Sequence, residues 1–196
     1  MSFTDQFETD YRWRLNQGAG AFSGLEHLHI NSVENNVIIS SVVIGDEDGA
    51  PFGVNYTIIC AANWTVRAFN IENTNGNSLS MNADGEGNWF HANGETADKF
   101  KGAIDIDLSG TPFTNTLAIR RFKSPKAGNN QRFKMLYVPF DTLIPKLVSQ
   151  QYTCLIPFKK YRYESRTSDF VADLEVDENA VVKDYPTVFT REYLDK

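Results

Sequence analysis

Apolar and polar residues alternate with a period of two along most of the chain. Such alternation is typical of β-strands, whose successive side chains point to opposite faces of a sheet. The segments that alternate in this way, or that are rich in β-branched residues, are Asn36–Ile44, Val54–Cys60, Trp64–Ile71, Ser78–Met81, Asn88–His91, Ile104–Leu108, Phe113–Phe122, Gln131–Val138, Tyr161–Glu164, Phe170–Val176 and Val181–Tyr185. The pattern predicts an all-β protein.

Turn sequences separate these strands at short intervals. Asp84-Gly85-Glu86-Gly87 and Asn93-Gly94 are typical of hairpin connections, and Asp48-Gly49-Ala50-Pro51 lies between two of the strands. Helical periodicity is scarce: Asp141–Gln151 is the best candidate for a helix, and we expect a short turn near Asp5–Trp13. Many short strands predict a single curved antiparallel sheet that forms a half-barrel, barrel or β-roll, with one or two short helices.

Chain length and composition narrow the class of protein. A chain of 196 residues fits one domain, residues 1–196, and 41% hydrophobic residues are enough for a core. A net charge of −6 argues against non-specific binding to nucleic acid and against attraction to anionic membranes. Cys60 and Cys154 lie in apolar runs without metal-ligand spacing, so we expect two buried free thiols.

The N-terminal residues are polar and acidic. They lack the basic region and the apolar region of a secretory signal. No apolar run approaches the roughly 20 residues that cross a membrane as a helix. We therefore expect a soluble cytoplasmic protein with no transmembrane segment, and the sequence leaves its oligomeric state open.

Residues 105–121 carry many polar groups for a region predicted to form strands. Asp105 and Asp107 share one face of a strand, about 6.6 Å apart along it. Three interpretations fit this pair. The polar face lies in water; or it is a concave face that binds ligand hydroxyls, with Arg120 or Arg67 neutralising the carboxylates; or the pair is catalytic, as in glycoside hydrolysis.

The strand predicted next has apolar and polar residues on both of its faces. Such mixed faces are typical of polar groups set in the apolar wall of a ligand cavity, although a buried ion pair gives the same pattern. Arg120 and Arg121 are suited to clamp a carboxylate or phosphate; alternatively, one of them pairs with Asp105 or Asp107. Adding Asn115 to the carboxylates does not give metal-loop spacing, so we expect no metal and no cofactor.

Tryptophan and histidine positions add two further observations. Trp64 begins an alternating strand and Trp89 follows a glycine-rich turn, which makes them candidates to stack on sugar rings or line a lipid pocket. His27 and His29 share a strand face without a third ligand, so we expect them to be structural or exposed. Nucleophilic catalysis has little support, since no Gly-x-Ser-x-Gly motif occurs.

Several of these segments together resemble the putative glycolipid-binding protein family of bacteria. The matching pieces are Gly24-Leu25-Glu26-His27, Gly49-Ala50-Pro51-Phe52 with Tyr56, Trp64-Thr65-Val66-Arg67, Asp84–Trp89, Asp105–Leu108, Thr111–Leu117, Ile119–Phe122, Gln151-Tyr152, Phe170–Asp177 and Asp184-Tyr185-Pro186. Ala103 and Ala118 depart from the family pattern, which often has cysteine and proline there. The resemblance implies a curved β-sheet similar in shape to half-barrel carriers of lipid chains, such as bacterial lipoprotein-localisation factors.

We therefore expect a binding protein with a concave pocket for an amphiphilic or sugar-bearing small molecule. The residues expected to contact this ligand are Asp105, Asp107, Thr111, Asn115, Arg120 and Arg121 around its polar head, and Trp64, Arg67 and Trp89 at the rim or wall. Two alternatives stay open. One is an enzyme that acts on a glycan or ester through Asp105 and Asp107, and the other is an interaction module whose polar residues are structural.

Overall fold

The computed structural model describes residues 2–16, 23–47 and 50–193. These residues form one large curved, unclosed sheet of 14 strands. The predicted all-β class and curved sheet are therefore confirmed. Within the described residues there is one α-helix and one short 3-10 helix. None of the helices among these residues is long and apolar enough to cross a membrane.

Every predicted strand segment except Phe113–Phe122 overlaps an observed strand, and further strands lie near both ends of the chain. The first seven are β1 Glu8–Leu15, β2 Ser23–Val33, β3 Asn36–Glu47, β4 Ala50–Ala61, β5 Val66–Asn73, β6 Ser78–Ala83 and β7 Trp89–His91. The remaining seven are β8 Asp105–Leu108, β9 Asn130–Val138, β10 Lys146–Ile156, β11 Lys160–Ser165, β12 Val171–Val176, β13 Val182–Tyr185 and β14 Phe189–Glu192.

The strand order is β7-β6-β5-β4-β3-β2-β1-β14-β13-β12-β11-β10-β9-β8. From β1 to β7 and from β9 to β14, chain neighbours pair antiparallel. Strand β1 also pairs with β14, so the first and last strands lie side by side in the middle of the sheet. At one edge, β8 pairs with β9 in parallel, with Asp107 opposite Tyr137. A parallel pair needs a crossover, and residues 109–129 supply it.

Alternation decides which side chains face the core. In β3, Val37, Ile39 and Val43 are buried, whereas Val42 and Ile44 on the other face are 56% and 57% exposed. The turns at Asp84–Gly87 and at Asn93-Gly94 connect strands as predicted, while Asp48 and Gly49 lie outside the described residues. The two cysteines are buried and free, as predicted.

The crossover corrects the sequence prediction at its most informative segment. Phe113–Phe122 is not a strand: Asn115–Arg121 forms α1, and its residues from 115 to 119 are all buried. Threonine and isoleucine have weak helix propensity, so local sequence favoured a strand. Burial on all sides also removes the amphipathic period that usually reveals a helix, and tertiary packing decides the conformation.

Two other predictions are wrong because pairing with neighbouring strands decides the conformation there. Asp141–Gln151 is not a helix, because β10 begins at Lys146 and pairs with β9 and β11. The leucines that suggested a helical period lie partly in the turn before this strand. The turn expected near Asp5–Trp13 is instead largely β1, which pairs with β2 and β14.

Candidate functional site

Asp105 is buried on β8 and held by the last residue of α1. Its carboxylate accepts hydrogen bonds from Arg121 Nε at 2.8 Å and Nη2 at 2.6 Å, and its side chain is 1% exposed. Ile106 on the opposite face is also fully buried, so β8 has no solvated side chain at these two positions. The interpretation of a solvated polar face is therefore wrong for Asp105. The neutralising cation is Arg121, rather than Arg120 or Arg67.

Asp107 has a different environment, although it lies only two residues away. Thr114 Oγ1 donates to one carboxylate oxygen at 2.9 Å, and Gln150 Nε2 donates to the other at 2.6 Å. No cation of residues 2–16, 23–47 or 50–193 forms an ion pair with it. Burial raises the pKa of Asp107 to about 6, and the hydrogen bonds from Thr114 and Gln150 offset part of that rise.

A chain of hydrogen bonds behind Asp107 reaches its donor Gln150. Tyr152 Oη donates to Asn115 Oδ1 at 2.8 Å and also approaches Gln150 Oε1 at 3.4 Å. Asn115 Nδ2 donates in turn to the carbonyl of Pro112 at 3.1 Å. Burial raises the pKa of Tyr152, so its hydroxyl stays protonated and remains a donor. The N-terminal end of α1 and strand β10 are thereby linked around one carboxylate.

A cavity of about 260 Å³ opens beside Asp107. Its walls combine aromatic rings and hydroxyl groups with the carboxylate and amide already described. Its lining includes Asp107, Tyr137, Val148, Gln150, Tyr163 and Phe170, and Ser165, Thr167 and Ser168 add hydroxyls. Phe170 lines this cavity and is 40% exposed. Its ring gives the cavity an apolar portion next to the polar groups. Each carboxylate oxygen of Asp107 has accepted one hydrogen bond and retains capacity for another.

A second buried carboxyl lies elsewhere in the core. Glu26 on β2 is 0% exposed, and its Oε1 accepts hydrogen bonds from Ser41 at 2.8 Å and Tyr56 at 2.7 Å. Tyr56 also lies 3.3 Å from Thr111 Oγ1, which connects the crossover to this group. Glu26 Oε2 has no hydrogen-bond partner among the described residues. Burial raises the pKa of Glu26 to about 7, partly offset by hydrogen bonds from these hydroxyls.

Arg120 lies at a third place and is turned toward the N-terminal segment, residues 2–7. Its guanidinium carbon lies 4.0 Å from the Trp64 ring centroid, and the side chain is 5% exposed. Its nitrogens donate to the carbonyls of Asn179 and Thr4 and to the carboxylate of Asp5, each within 2.9 Å. Burial lowers the pKa of Arg120 to about 10, and Asp5 partly opposes this effect. These contacts give Arg120 a bracing position.

The two remaining candidates also have internal partners. Trp89 is 1% exposed, and its Nε1 donates to the carbonyl of Ala103 at 2.7 Å. Arg67 donates to the carbonyl of Asp84 in the β6–β7 turn. Both contacts join neighbouring elements.

The nine residues predicted from the sequence thus fall into several groups. Asp107 lines a cavity, with Asn115 supporting it; Asp105 and Arg121 form a buried ion pair; and Thr111, Arg120, Trp64, Arg67 and Trp89 bond elsewhere. Sequence reasoning missed Glu26 and Gln150. Their positions carried a signal, because Glu26 lies on the same strand face as the buried Leu28, and Gln150 lies on the same strand face as the buried Tyr152.

Comparison with known proteins gives one family and one solved structure. Residues 11–191 match the profile of a family described as putative glycolipid-binding. The fold is similar to the crystal structure of a DUF1089 family protein from Pseudomonas aeruginosa, with a TM-score of 0.77 and 33% sequence identity. That alignment covers 90% of this chain and 95% of the other. No curated protein matches the sequence.

Proposed function

Since the chain belongs to the putative glycolipid-binding family, we propose that it binds a neutral sugar-bearing amphiphile whose sugar enters the cavity beside Asp107. The observation that carries this proposal is a carboxylate without a cationic partner on the wall of a cavity rich in aromatic rings and hydroxyls. A sugar supplies many hydroxyl donors and one or more apolar ring faces. A sugar therefore complements both the carboxylate and hydroxyl groups and the aromatic rings of this cavity.

The acceptor geometry supports a ligand that donates hydrogen bonds. Thr114 and Gln150 hold the carboxylate of Asp107 from the protein side, which leaves lone pairs for ligand hydroxyls. A hydrogen bond to an ionised carboxylate contributes about 1.5–3 kcal/mol, more than one between neutral groups. An anionic head would be repelled by Asp107, so a neutral sugar fits this cavity better.

The apolar part of the ligand would lie at the aromatic side of the cavity. Tyr163 and Phe170 are neighbours, with ring centroids 6.0 Å apart. Phe170 presents exposed ring surface, and Val148 adds an aliphatic wall. Tyrosine and phenylalanine rings bind both sugar faces and hydrocarbon, as an amphiphile requires.

The carboxylate pair does not have the arrangement that acid–base work on a glycan requires. Arg121 occupies both oxygens of Asp105, whose side chain is almost completely buried. A catalytic carboxyl must reach the reacting atom and exchange a proton with it. Asp107 alone remains accessible from the cavity, which favours binding over hydrolysis.

Two measurements test the proposal. First, organic-solvent extraction of the purified protein followed by mass spectrometry identifies any amphiphile that it carries. Second, calorimetric titration with dodecyl maltoside compares wild type with Asp107→Asn, which keeps the shape of the side chain. We expect the substitution to weaken binding about tenfold, which corresponds to about 1.4 kcal/mol.

Asp169→Asn is the matched control, because it removes the same charge from an exposed position next to Phe170 in sequence. This variant should bind like wild type. Equal binding by Asp107→Asn and wild type, or no binding of any glycoside and no extracted amphiphile, would overturn the proposal.

A further inference from the structure

A second, larger cavity lies at the turn between β10 and β11. Its volume is about 490 Å³, within the range of small-molecule sites. It is bounded by this turn, the N-terminal segment, the end of β12 and Lys183 of β13. It shares no lining residue with the cavity beside Asp107. Its chemistry is therefore separate from that of the proposed sugar site.

The apolar floor of this second cavity consists of Phe3, Ile156, Phe158 and Val176. The rings of Phe3 and Phe158 pack edge to face with centroids 5.3 Å apart. Val176 is 5% exposed and Ile156 is 50% exposed, so the apolar lining includes both a buried and an exposed residue. Phe158 has a φ of 61°, a left-handed conformation that costs about 1 kcal/mol or more for a bulky residue. Phe3 supplies a packing partner for the ring that this conformation positions.

Three lysines and three acidic residues line this cavity, and ion pairs neutralise two of the three acidic residues. Lys160 pairs with Glu175 at 3.7 Å. The carboxylate of Asp177 pairs with Arg191 at 2.6 Å, and both side chains are less than 9% exposed.

Two lysines remain beside one carboxylate. Lys159 and Lys183 line the cavity and form no ion pair within residues 2–16, 23–47 and 50–193, and Glu178 is the acidic residue left to oppose them. Lysine stems can lie along apolar surface while their ammonium groups reach the water at the mouth. The local balance is one positive charge, in a protein whose net charge is −6.

We propose that this second cavity binds an anionic amphiphile, with the alkyl tail on the floor formed by Phe3, Phe158 and Val176. The phosphate or carboxylate head meets the ammonium groups of Lys159 and Lys183. Apolar burial supplies most of the attraction, and the two charges select an anionic head over a neutral one. The two cavities thus divide amphiphiles by head group: neutral sugars go to Asp107, and anions to the lysines.

The test uses full-length protein and three probes in calorimetric titrations at low salt: dodecyl phosphate below its micelle concentration, inorganic phosphate and dodecyl maltoside. We expect dodecyl phosphate to bind, and the double variant Lys159→Gln/Lys183→Gln to weaken it about tenfold. The control Lys101→Gln/Lys126→Gln removes the same charge from exposed positions elsewhere. Dodecyl maltoside affinity should be the same in both double variants and in wild type.

Several outcomes overturn this inference. Dodecyl phosphate that does not bind, or that binds both double variants equally, removes the role of the two lysines. Inorganic phosphate that binds as tightly as dodecyl phosphate removes the role of the apolar floor. The two proposals fail separately. Unchanged maltoside binding in Asp107→Asn would contradict the sugar site alone, and unchanged dodecyl phosphate binding in Lys159→Gln/Lys183→Gln would contradict this inference alone.

Discussion

Arg121 at the end of α1 and Asp105 on β8 form a two-pronged ion pair inside the sheet, with N–O distances of 2.8 and 2.6 Å. The pair joins the helix to the parallel edge of the sheet. Because the carboxylate is 1% exposed, it has no access to water that could replace the guanidinium. This contact therefore holds the crossover that also carries Thr114 and Asn115 to the neighbourhood of Asp107.

Removing one partner of this pair should strongly destabilise the fold. Arg121→Ala leaves a buried carboxylate without compensation, which costs about 3 kcal/mol or more. Urea unfolding followed by tryptophan fluorescence measures the free energy of unfolding. Arg162→Ala is the control. Arg162 also forms a short ion pair, 2.7 Å from Asp173, but the two side chains are 46% and 31% exposed. We expect a much smaller loss there, and equal losses in the two variants would contradict a bracing role for Arg121.

Glu26 should make the free energy of unfolding depend on pH. Its pKa is about 7 in the folded protein and near 4.5 when unfolded, so folding favours the protonated form. The contribution of Glu26 is fully present below about pH 4.5 and declines as pH rises. By pH 7 the loss amounts to about 3 kcal/mol.

The measurement is the difference in unfolding free energy between wild type and Glu26→Gln across this pH range, since a difference cancels other titrating groups. We expect Glu26→Gln to gain on wild type as pH rises from about 4.5 to 7 and then to keep a constant advantage. Glu175→Gln, at an exposed position, serves as the control and should show no comparable trend. If this difference in unfolding free energy did not change with pH, the folded protein would already compensate the charge of the Glu26 carboxylate.

The sheet could be predicted from the sequence because it depends on local alternation. In β3, each inward residue such as Val37 or Ile39 is followed by one on the outer face, and the period alone reveals the strand. The edge strand β8 was likewise found from its alternating residues. What alternation could not reveal is that β8 is covered on both faces, because that depends on chain segments distant in sequence.

The candidate site could be predicted only in part for the same reason. Asp107 was chosen because residues 105–121 carry many polar groups for a region predicted to form strands, but its donor Gln150 lies 43 residues away. The helix α1 was missed because Thr116, Leu117 and Ile119 are buried together and show no polar face. Contacts of Arg120 to Thr4 and Asn179 join residues more than 50 positions apart, and no local pattern records them.

Binding of a neutral glycoside should weaken in acid if Asp107 accepts hydrogen bonds from it. The pKa of Asp107 is about 6, so the carboxylate is ionised above that pH and protonated below it. Exchanging a charged acceptor for a neutral carboxyl costs about 1 kcal/mol, or roughly fivefold in affinity. Titrations with dodecyl maltoside between pH 5 and 8 measure this change.

The Asp107→Asn variant is the control for that profile, because its amide does not titrate. Its affinity should be lower than that of wild type at pH 8 and nearly independent of pH. Binding should also release protons near pH 6, which appears as a dependence of the measured enthalpy on buffer ionisation. A wild-type profile parallel to that of the variant would place the ligand away from Asp107.

Arg120 should hold the N-terminal segment, residues 2–7, onto the body of the protein. Arg120→Lys keeps the charge but loses the planar fork that stacks on Trp64 and reaches two carbonyls. We expect about 2 kcal/mol lower unfolding free energy and faster amide exchange at Thr4, whose N–H donates to Glu178 at 3.0 Å. Asp5→Asn removes only an exposed partner, 77% accessible, and should change both quantities less. Unchanged exchange at Thr4 in Arg120→Lys would mean that Phe3 and Phe7 anchor the segment by themselves.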